Sequence, residues 1–535
     1  MGLLFQNVNW DYYSSTTFNN LTYYFSFVFC FLAFSSYKNE YLKEKSILRK
    51  FVSTYLFAKS VVLNRIKNLK FHLSFYTFAL ATTILLGLIA RAYKMPFVIL
   101  YDEAATYLDY CDGGFTSFLK IWNVNNHLMN TVLMKVSIAL FGDSVLALRL
   151  PSFVFGFINI LLIYYISNQL YGKSTALIST FLYSCAPILI HFESQARGYS
   201  IKVTFTLLLF IACFHFLQKP SKTYLFVISF ISSLGFLTIF SFLFPFAGFL
   251  AWIVYELHNK KIFEKKIIAH HIFLIILYTK IISVFFYTPS IILSNGILNI
   301  LKVSRAGNVN VYGGFPEDIP RFLVDFADML FFNNTPLTII IFCFSGYVIF
   351  KGGKLTSFML SQFICAAIII VALSAIFPSR VFIYIIPFII LSASVLISKV
   401  FLSIKGVYYL MFPILQLLIY MYFIENKVVD YYHGLNNDGM KEVVEKLKTL
   451  PPSPTNSKIL LTGHMGFYKS FKYYQRINSL PIIERYDNTY YSENADISDQ
   501  AMYIISPKKD VIKNENLTKI FVTTGFEIFR SKSFR

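Results

Sequence analysis

Residues 72–104, HLSFYTFALATTILLGLIARAYKMPFVILYDEA, set the pattern for the rest of the chain. The apolar segment from His72 to Ala90 is close to the roughly 20 residues that a helix needs to cross a bilayer. A basic hinge follows it, and then come two adjacent carboxylates, Asp102 and Glu103. At such a low-dielectric boundary the surroundings can tune a carboxylate as a base or a metal ligand. Solvated interfacial charges are the alternative that this stretch alone leaves open.

The composition indicates a polytopic membrane protein. Of the 535 residues, 56% are hydrophobic and only 14% are charged, whereas soluble domains carry about 25% charged residues. The formal net charge is +20, but much of the excess lies in short loops between apolar segments, as the positive-inside rule expects. The six cysteines show no paired spacing, so neither a disulfide framework nor a zinc site is expected. We therefore expect a lipid bilayer as partner and no nucleic acid.

Eleven apolar segments predict membrane-spanning helices. They are 72–92, 146–168, 174–190, 199–217, 223–240, 242–257, 267–287, 336–350, 357–377, 381–398 and 406–424. A further apolar run, Leu21–Phe34, is short for a span and could instead lie in the interface. Residues 38–70 carry nine Lys and Arg, which places them on the cytoplasmic side, so the first of the eleven spans runs outward.

Three parts of the chain follow from this count. Residues 1–71 form an N-terminal cytoplasmic or interfacial segment with a possible extra span, and residues 72–424 form the membrane domain. Residues 425–535 have an ordinary soluble composition, with a helix pattern over 438–450 and buried-strand patterns at 458–463 and 502–505. We expect them to fold as a small α/β domain outside the membrane, because the topology places everything after Glu425 there.

Several cations occur where the positive-inside rule disfavours them, at the predicted outer ends of spans. They are Arg149, Arg197, Arg380 and, within the span 267–287, Lys280. The long first outer connection, 93–145, also contains His127. Together with Asp102 and Glu103, these residues predict an outer cavity that combines a carboxylate base with an anion clamp, since arginine binds phosphate through a fork of donors.

Five short motifs in this order carry a resemblance to a known family. They are Tyr101-Asp102-Glu103-Ala104, Asn125-Asn126-His127-Leu128-Met129-Asn130-Thr131, Phe141-Gly142-Asp143-Ser144, Leu148-Arg149-Leu150-Pro151-Ser152 and Gln195-Ala196-Arg197-Gly198-Tyr199. Over about residues 72–400, the chain resembles the GT-C glycosyltransferases. Within them it is similar to the group of dolichyl-phosphate-mannose protein mannosyltransferases and the bacterial aminoarabinose transferase of lipid A. The family often has His-Pro where this chain has His127-Leu128.

Together with the apolar segments and the composition of the C-terminal residues, the resemblance implies an all-α polytopic membrane protein of GT-C type, with about 11–12 transmembrane helices and a small C-terminal extracytoplasmic α/β domain. It also implies a polyprenyl-phosphate sugar donor, a lipid, glycan or protein acceptor, and a place in the plasma (inner) membrane. Asp102 would be the catalytic carboxylate, with Glu103 as its partner. The donor phosphate would be bound by Arg197, Arg380, His127 and Lys280. The substrate pocket would include Tyr101, Asn126, Arg149 and Tyr199.

Some of these roles have alternatives. His127 could bind the phosphate, bind a divalent metal together with Glu103, or only cap a helix, and no cofactor is otherwise indicated. Arg149 could instead bond loop carbonyls or a carboxylate of the first loop. Lys280 could snorkel to the interface. Glu193 could be a loop charge or the partner of Arg197.

The expected chemistry is an inverting transfer in which Asp102 deprotonates the acceptor. Direct displacement needs no second, nucleophilic carboxylate, unlike a retaining glycosidase. A transporter or lipid flippase is an alternative, but paired halves with broken helices, which are frequent in transporters, are not evident in the sequence. A polymerase or ligase of surface polysaccharide is another, although the late outer loop 288–335 has Arg305 and Arg321 but no His.

Overall fold

The computed structural model describes most of the membrane domain and the core of the C-terminal domain. The described residues are 74–96, 98–114, 117–120, 126–261, 263–293, 318–331, 343, 345–347, 355–373, 377–400, 409–425, 440–450, 458–461, 465–478, 483–485, 501–507, 517–523 and 526–532. Leu21–Phe34 and the remainder of the N-terminal segment lie outside them, and so does most of the predicted span 336–350.

The membrane domain is built from helices. They are α1 (Phe75–Lys94), α2 (Tyr101–Thr106), α3 (Ser117–Lys120), α4 (Leu128–Phe141), α5 (Val145–Tyr171), α6 (Lys173–Cys185), α7 (Pro187–Glu193), α8 (Tyr199–Gln218), α9 (Lys222–Thr238), α10 (Leu243–Asn259), α11 (Lys265–Leu293), α12 (Ile319–Phe331), α13 (Thr356–Leu373), α14 (Ile386–Val400) and α15 (Met411–Glu425). A π-helix, Tyr107–Cys111, continues α2, and 3-10 helices at Phe240–Phe242 and Ser379–Ile385 precede α10 and α14.

Among the described residues, seven helices are long and apolar enough to cross a membrane, or eight if the bent pair of α6 and α7 is one span. Shorter apolar helices are Leu128–Phe141, Lys222–Thr238 and Met411–Tyr422. Ten of the eleven predicted spans coincide with helices. The expected class, an all-α polytopic membrane protein, is therefore confirmed.

The predicted span 174–190 is not a continuous helix. It bends by 64° between α6 and α7, where Ala186 has an extended conformation with φ −65° and ψ 111°. Pro187 causes the break, because a proline lacks the backbone N–H and disfavours helical geometry in the residue before it. After the bend, α7 leads directly into the loop that contains Arg197.

The centre of the bundle is packed with aromatic side chains from four helices. Phe210 of α8 stacks on Trp252 of α10, with ring centroids 5.3 Å apart, and contacts Phe358 of α13 and Phe388 of α14 edge-on or tilted. These side chains are all buried. Aromatic rings bury large apolar areas and hold each other in defined orientations, so this cluster fixes α8 relative to the late helices α13 and α14.

The C-terminal domain has an α/β fold, as expected. Its helices are α16 (Met440–Thr449) and α17 (Met465–Asn478), and its strands are β1 (Lys458–Leu461), β2 (Ile483–Arg485), β3 (Ala501–Pro507), β4 (Leu517–Val522) and β5 (Phe526–Ser531). They form one sheet with the order β2-β1-β3-β5-β4. Strand β1 is parallel to β2 and β3, whereas β5 is antiparallel to β3 and β4.

Helix α17 packs the C-terminal domain against the first loop of the membrane domain. Tyr473 meets Tyr107 edge-on at 5.0 Å, and Lys469 forms an ion pair with Asp109 at 2.6 Å. Apolar residues of α2, its π-helical extension and the C-terminal domain share one buried cluster. The C-terminal domain therefore lies on the same side of the bundle as Asp102.

Candidate active site

Helix α2 presents its two carboxylates in different directions. Both lie in its first turn, where acidic side chains interact favourably with the helix dipole. The Glu103 side chain is completely buried, whereas the Asp102 side chain is 36% exposed. Consecutive helical residues project about 100° apart, so one short helix supplies one carboxylate to the interior and one to the open side.

Glu103 is surrounded by donors. Its oxygens accept two bonds from Arg149, at 2.6 and 2.8 Å, and one each from the backbone N–H groups of Ala196 and Leu100, at 2.6 and 2.9 Å. Burial alone would raise the pKa of Glu103, but the charge and hydrogen bonds of Arg149 and the two backbone bonds hold it below its usual value. Glu103 thus joins α2, α5 and the loop after α7, and its environment does not suit a group that must exchange protons.

Arg149 serves the same scaffold. Besides binding the Glu103 carboxylate, its guanidinium donates to three backbone carbonyls at the end of α1 and in the segment that follows it, those of Lys94, Met95 and Val98, at 2.9–3.2 Å. Of the two sequence interpretations of Arg149, the structure fits the structural one rather than a pocket wall.

Asp102 faces two arginines from distant parts of the chain. Its Oδ2 lies 4.0 Å from Arg197 Nη2 and 3.9 Å from Arg380 Nη1. The Arg197 side chain is buried and donates to Thr106 Oγ1 at 2.9 Å, while the Arg380 side chain is 37% exposed. Both separations exceed the 2.7–2.9 Å of a tight charge-assisted hydrogen bond. The carboxylate and the two guanidinium groups therefore lie close together without forming tight ion pairs, and Asp102 and Arg380 remain partly exposed.

The loop that carries Arg197 is held by hydrogen bonds from several helices. Ser152 Oγ donates to the Arg197 carbonyl at 3.0 Å, and Asn130 Nδ2 donates to the Ala196 carbonyl at 3.2 Å. Ser194 Oγ donates to the Arg91 carbonyl at 3.0 Å. With the bond from Ala196 N–H to Glu103, these contacts fix the backbone on both sides of Arg197, so its guanidinium sits on a rigid frame.

His127 lies buried beside this loop. Its Nδ1 accepts a hydrogen bond from Gly198 N–H at 3.0 Å, and its ring meets Tyr199 edge-on at 5.4 Å. Burial and the nearby charges of Arg197, Arg380 and Lys202 place the pKa of His127 well below its usual value. Because Nδ1 is an acceptor and the ring is neutral, the proton is on Nε2. His127 can therefore donate one hydrogen bond but does not supply a charge.

The chain is similar to known proteins in part of its sequence and in its fold. A family model described as dolichyl-phosphate-mannose-protein mannosyltransferase matches residues 127–285. Among solved structures, the chain is similar to ArnT from Cupriavidus metallidurans bound to undecaprenyl phosphate, with a TM-score of 0.53 and 11% identity over 85% of this chain and 97% of that one. The apo ArnT of the same organism gives 0.54 and 10%, over 85% and 98%. No curated protein sequence matches.

This chain has a GT-C fold. The two structural matches cover nearly all of ArnT, and because the identities are low they show a similar fold and nothing more. The family match begins at His127 and ends within α11. The resemblance found in the sequence is confirmed at the level of the fold, and the family match supports it over residues 127–285.

The remaining predicted residues of the GT-C domain occupy different places. Tyr101 is half-buried at the start of α2. Asn126 accepts a hydrogen bond from Thr131 Oγ1 at 3.0 Å, next to the start of α4. Tyr199 is buried between His127 and Phe192. Lys280 is exposed on α11 and is not among the cations whose charges act on His127, so the structure does not bring it into the cluster.

The proposed metal ligands do not fit a cation. Glu103 already accepts four hydrogen bonds, and His127 uses Nδ1 for the Gly198 amide. Among the residues that the structure describes, no group of three or more His, Cys, Asp or Glu could hold a metal ion. We therefore assign no step of the reaction to a metal.

For one buried polar residue of the GT-C domain the expectation from the sequence was wrong, and another was missed. Glu193, expected as a loop charge or the partner of Arg197, is buried and pairs with Arg91 at 2.7 Å, and it also accepts hydrogen bonds from Tyr183 and Asn159. Lys202 is completely buried in α8. An ionisable residue inside an apolar span is itself a signal of structural or functional use, and it could have marked Lys202.

Proposed function

We propose that this chain is a membrane glycosyltransferase that moves a sugar from a polyprenyl-phosphate donor to a lipid, glycan or protein acceptor. The observation that carries the proposal is the half-exposed carboxylate of Asp102 within 4.0 Å of two arginines from different elements. A carboxylate base and an anion clamp at one opening are the two parts that such a transfer requires. The family match over residues 127–285 and the ArnT-like fold agree with it.

An apolar cavity next to Arg380 suits the lipid part of the donor. Its volume is about 370 Å³. It is enclosed by α12, α13 and the 3-10 helix Ser379–Ile385, which carries Arg380, and its lining includes Phe322, Phe326, Phe382 and Ala366. Apolar surface favours a hydrocarbon chain. A phosphate at Arg380 and a prenyl chain in this cavity would therefore be parts of one amphipathic ligand, and undecaprenyl phosphate, to which the similar ArnT structure is bound, is a molecule of this kind.

In the proposed reaction Asp102 removes a proton from the acceptor hydroxyl or amine as that atom attacks the anomeric carbon. The bond from this carbon to the phosphate oxygen breaks, the bonding electron pair leaves with the polyprenyl phosphate, and the configuration inverts. Arg197 and Arg380 stabilise the charge that develops on the leaving phosphate. The Nε2–H of neutral His127 is a further donor for the same oxygen atoms, and Glu103 holds the scaffold.

The sidedness follows from the sequence and remains part of the proposal. The nine basic residues of 38–70 favour a cytoplasmic N-terminal segment. The reaction would then take place on the outer face of the plasma membrane, where the C-terminal domain contacts the first loop.

The test is a transfer assay with the purified full chain in liposomes and a radiolabelled polyprenyl-phosphate sugar. We expect release of polyprenyl phosphate and labelled sugar on water or an added acceptor, and no reaction with a nucleotide sugar, which lacks the prenyl chain. Movement of the intact labelled lipid between leaflets without cleavage would contradict the proposal and indicate a flippase. Elongation of a lipid-linked oligosaccharide by its own repeat units would indicate a polymerase instead.

A further inference from the structure

Lys202 is a completely buried cation next to the candidate donor site. It lies in the first turn of α8, and its ammonium group donates to the Val381 carbonyl at 2.7 Å and to the carbonyl and hydroxyl oxygens of Ser241 at 3.1 and 2.9 Å. The Nζ atom also lies 5.1 Å from the centre of the Tyr384 ring. Three acceptor oxygens surround the Nζ atom, so the position of this side chain is well defined.

The partners of Lys202 are all uncharged. Among the ion pairs of the described residues, none involves Lys202, although a buried cation without a counter-charge is costly. Its hydrogen bond to the Val381 carbonyl places the amine next to the segment that carries Arg380.

The contacts of Lys202 connect the two arginine-bearing segments. Its backbone N–H donates at 2.9 Å to the carbonyl of Gly198, the residue after Arg197. Its side chain binds the carbonyl of Val381, the residue after Arg380. The segment of Arg380 is a 3-10 helix, a conformation with weaker internal hydrogen bonds than an α-helix. The hydrogen bond from Lys202 to the Val381 carbonyl is therefore important for keeping this segment in place.

We propose that Lys202 is a positioning residue that sets the separation between Arg197 and Arg380 and thereby the binding of the donor phosphate. The inference rests on the proposed function for its ligand, but the bridge between the two segments does not depend on it. Lys202 acts through Arg380 and touches neither the sugar nor the acceptor.

The test compares Lys202→Met, which keeps the length of the side chain but removes its donors, with Lys202→Arg, which keeps a charged donor. We expect Lys202→Met to raise the donor KM about 10-fold to 100-fold, the size of effect that a displaced binding group causes, with a much smaller change in kcat. We expect Lys202→Arg to recover part of the loss. In the double variant with Arg380→Ala, the Lys202→Met change should add little, because both act on the same contact. Lys260→Met, at the surface end of α10, serves as the control.

Hydrogen–deuterium exchange of the peptide 379–385 provides a readout that does not need activity. We expect faster exchange in Lys202→Met and not in Lys260→Met. Unchanged exchange would overturn the inference even if the wild type transfers sugar, and so would faster exchange with an unchanged donor KM. If the wild type is inactive with every polyprenyl-phosphate sugar, the proposed function fails and the donor part of the inference fails with it, while exchange alone decides the bridge. If Lys202→Met does not fold, Lys202→Gln replaces it, with the same outcomes.

Discussion

Asp102 and Glu103 are neighbours in one short helix, but their surroundings differ in almost every respect. The Glu103 carboxylate is fully buried and accepts four hydrogen bonds of 2.6–2.9 Å. The Asp102 carboxylate is 36% exposed, and its nearest cations are 3.9 and 4.0 Å away. The closed pair, Glu103 with Arg149, contributes to structure. The open cluster, Asp102 with Arg197 and Arg380, can still change its contacts when a substrate binds. The difference explains how one motif can serve both purposes.

Substitutions that break the closed pair measure its contribution to the stability of the fold. Arg149→Met leaves the Glu103 carboxylate buried without its partner, a change that costs about 3–5 kcal/mol in comparable pairs. The double variant Glu103→Leu with Arg149→Met removes both charges and should recover part of this loss. The free energy or midpoint of unfolding in detergent is the measurement. A single variant as stable as the wild type would contradict the structural role.

Substitutions in the open cluster should instead weaken the binding of the donor. Arg197→Ala and Arg380→Ala each remove charge-assisted hydrogen bonds, which contribute about 1.5–3 kcal/mol. The donor KM should therefore rise about 10-fold to 100-fold. The lysine variants should lie between, because they keep the charge but lose the fork of donors. Arg530→Ala, at an exposed position of β5, is a suitable control. An unchanged donor KM in both alanine variants would remove the anion clamp from the account.

The neutral state of His127 predicts a dependence of stability on pH. The folded protein holds the pKa of this imidazole well below the ordinary value of 6.5, so only the unfolded chain takes up the proton as pH falls below that value. Stability from this group is thus present above about pH 6.5 and is lost below it, by up to about 1.4 kcal/mol per unit. The unfolding midpoint of His127→Gln should fall less steeply between pH 7 and 5 than that of the wild type. Parallel curves would contradict a neutral His127.

The contact between α17 and the first loop should have the smallest effect. The pair of Lys469 and Asp109 is partly exposed, and such pairs contribute about 0.2–1 kcal/mol. Asp109→Lys should lower the transfer rate only a few-fold and make the C-terminal domain more sensitive to limited proteolysis. The charge-swapped double variant, with Lys469→Asp, should recover both. A double variant no better than the single one would show that this ion pair does not hold the domain.

Much of the fold could be predicted from the sequence, because apolar segments of span length and basic loops have direct physical causes. The bend at Ala186 was not predicted, although Pro187 in the sequence disfavours a helical conformation at the residue before it. The proximity of Asp102, Arg197 and Arg380 could be expected from their common position at the outer ends of segments, where isolated charges are disfavoured.

Other parts of the site depend on tertiary contacts that a sequence does not show. Glu103 and Asp102 have the same chemistry in the same motif, and only the position of Arg149 and of the Ala196 amide separates their roles. Glu193 pairs with Arg91, which is far from it in sequence. Lys280 and Lys202 are both lysines within apolar segments, yet the first is exposed and the second is completely buried.

The most direct test of the account compares Asp102→Asn with Glu103→Gln in the same transfer assay, with each rate expressed per folded molecule and each unfolding midpoint recorded. Asp102→Asn should keep the wild-type midpoint and lose about 10²–10⁴-fold in rate, the usual contribution of a positioned base. Glu103→Gln should lower the midpoint and retain far more of the rate. Near-wild-type transfer by Asp102→Asn, or a stable but inactive Glu103→Gln, would contradict the assignment of the base to Asp102.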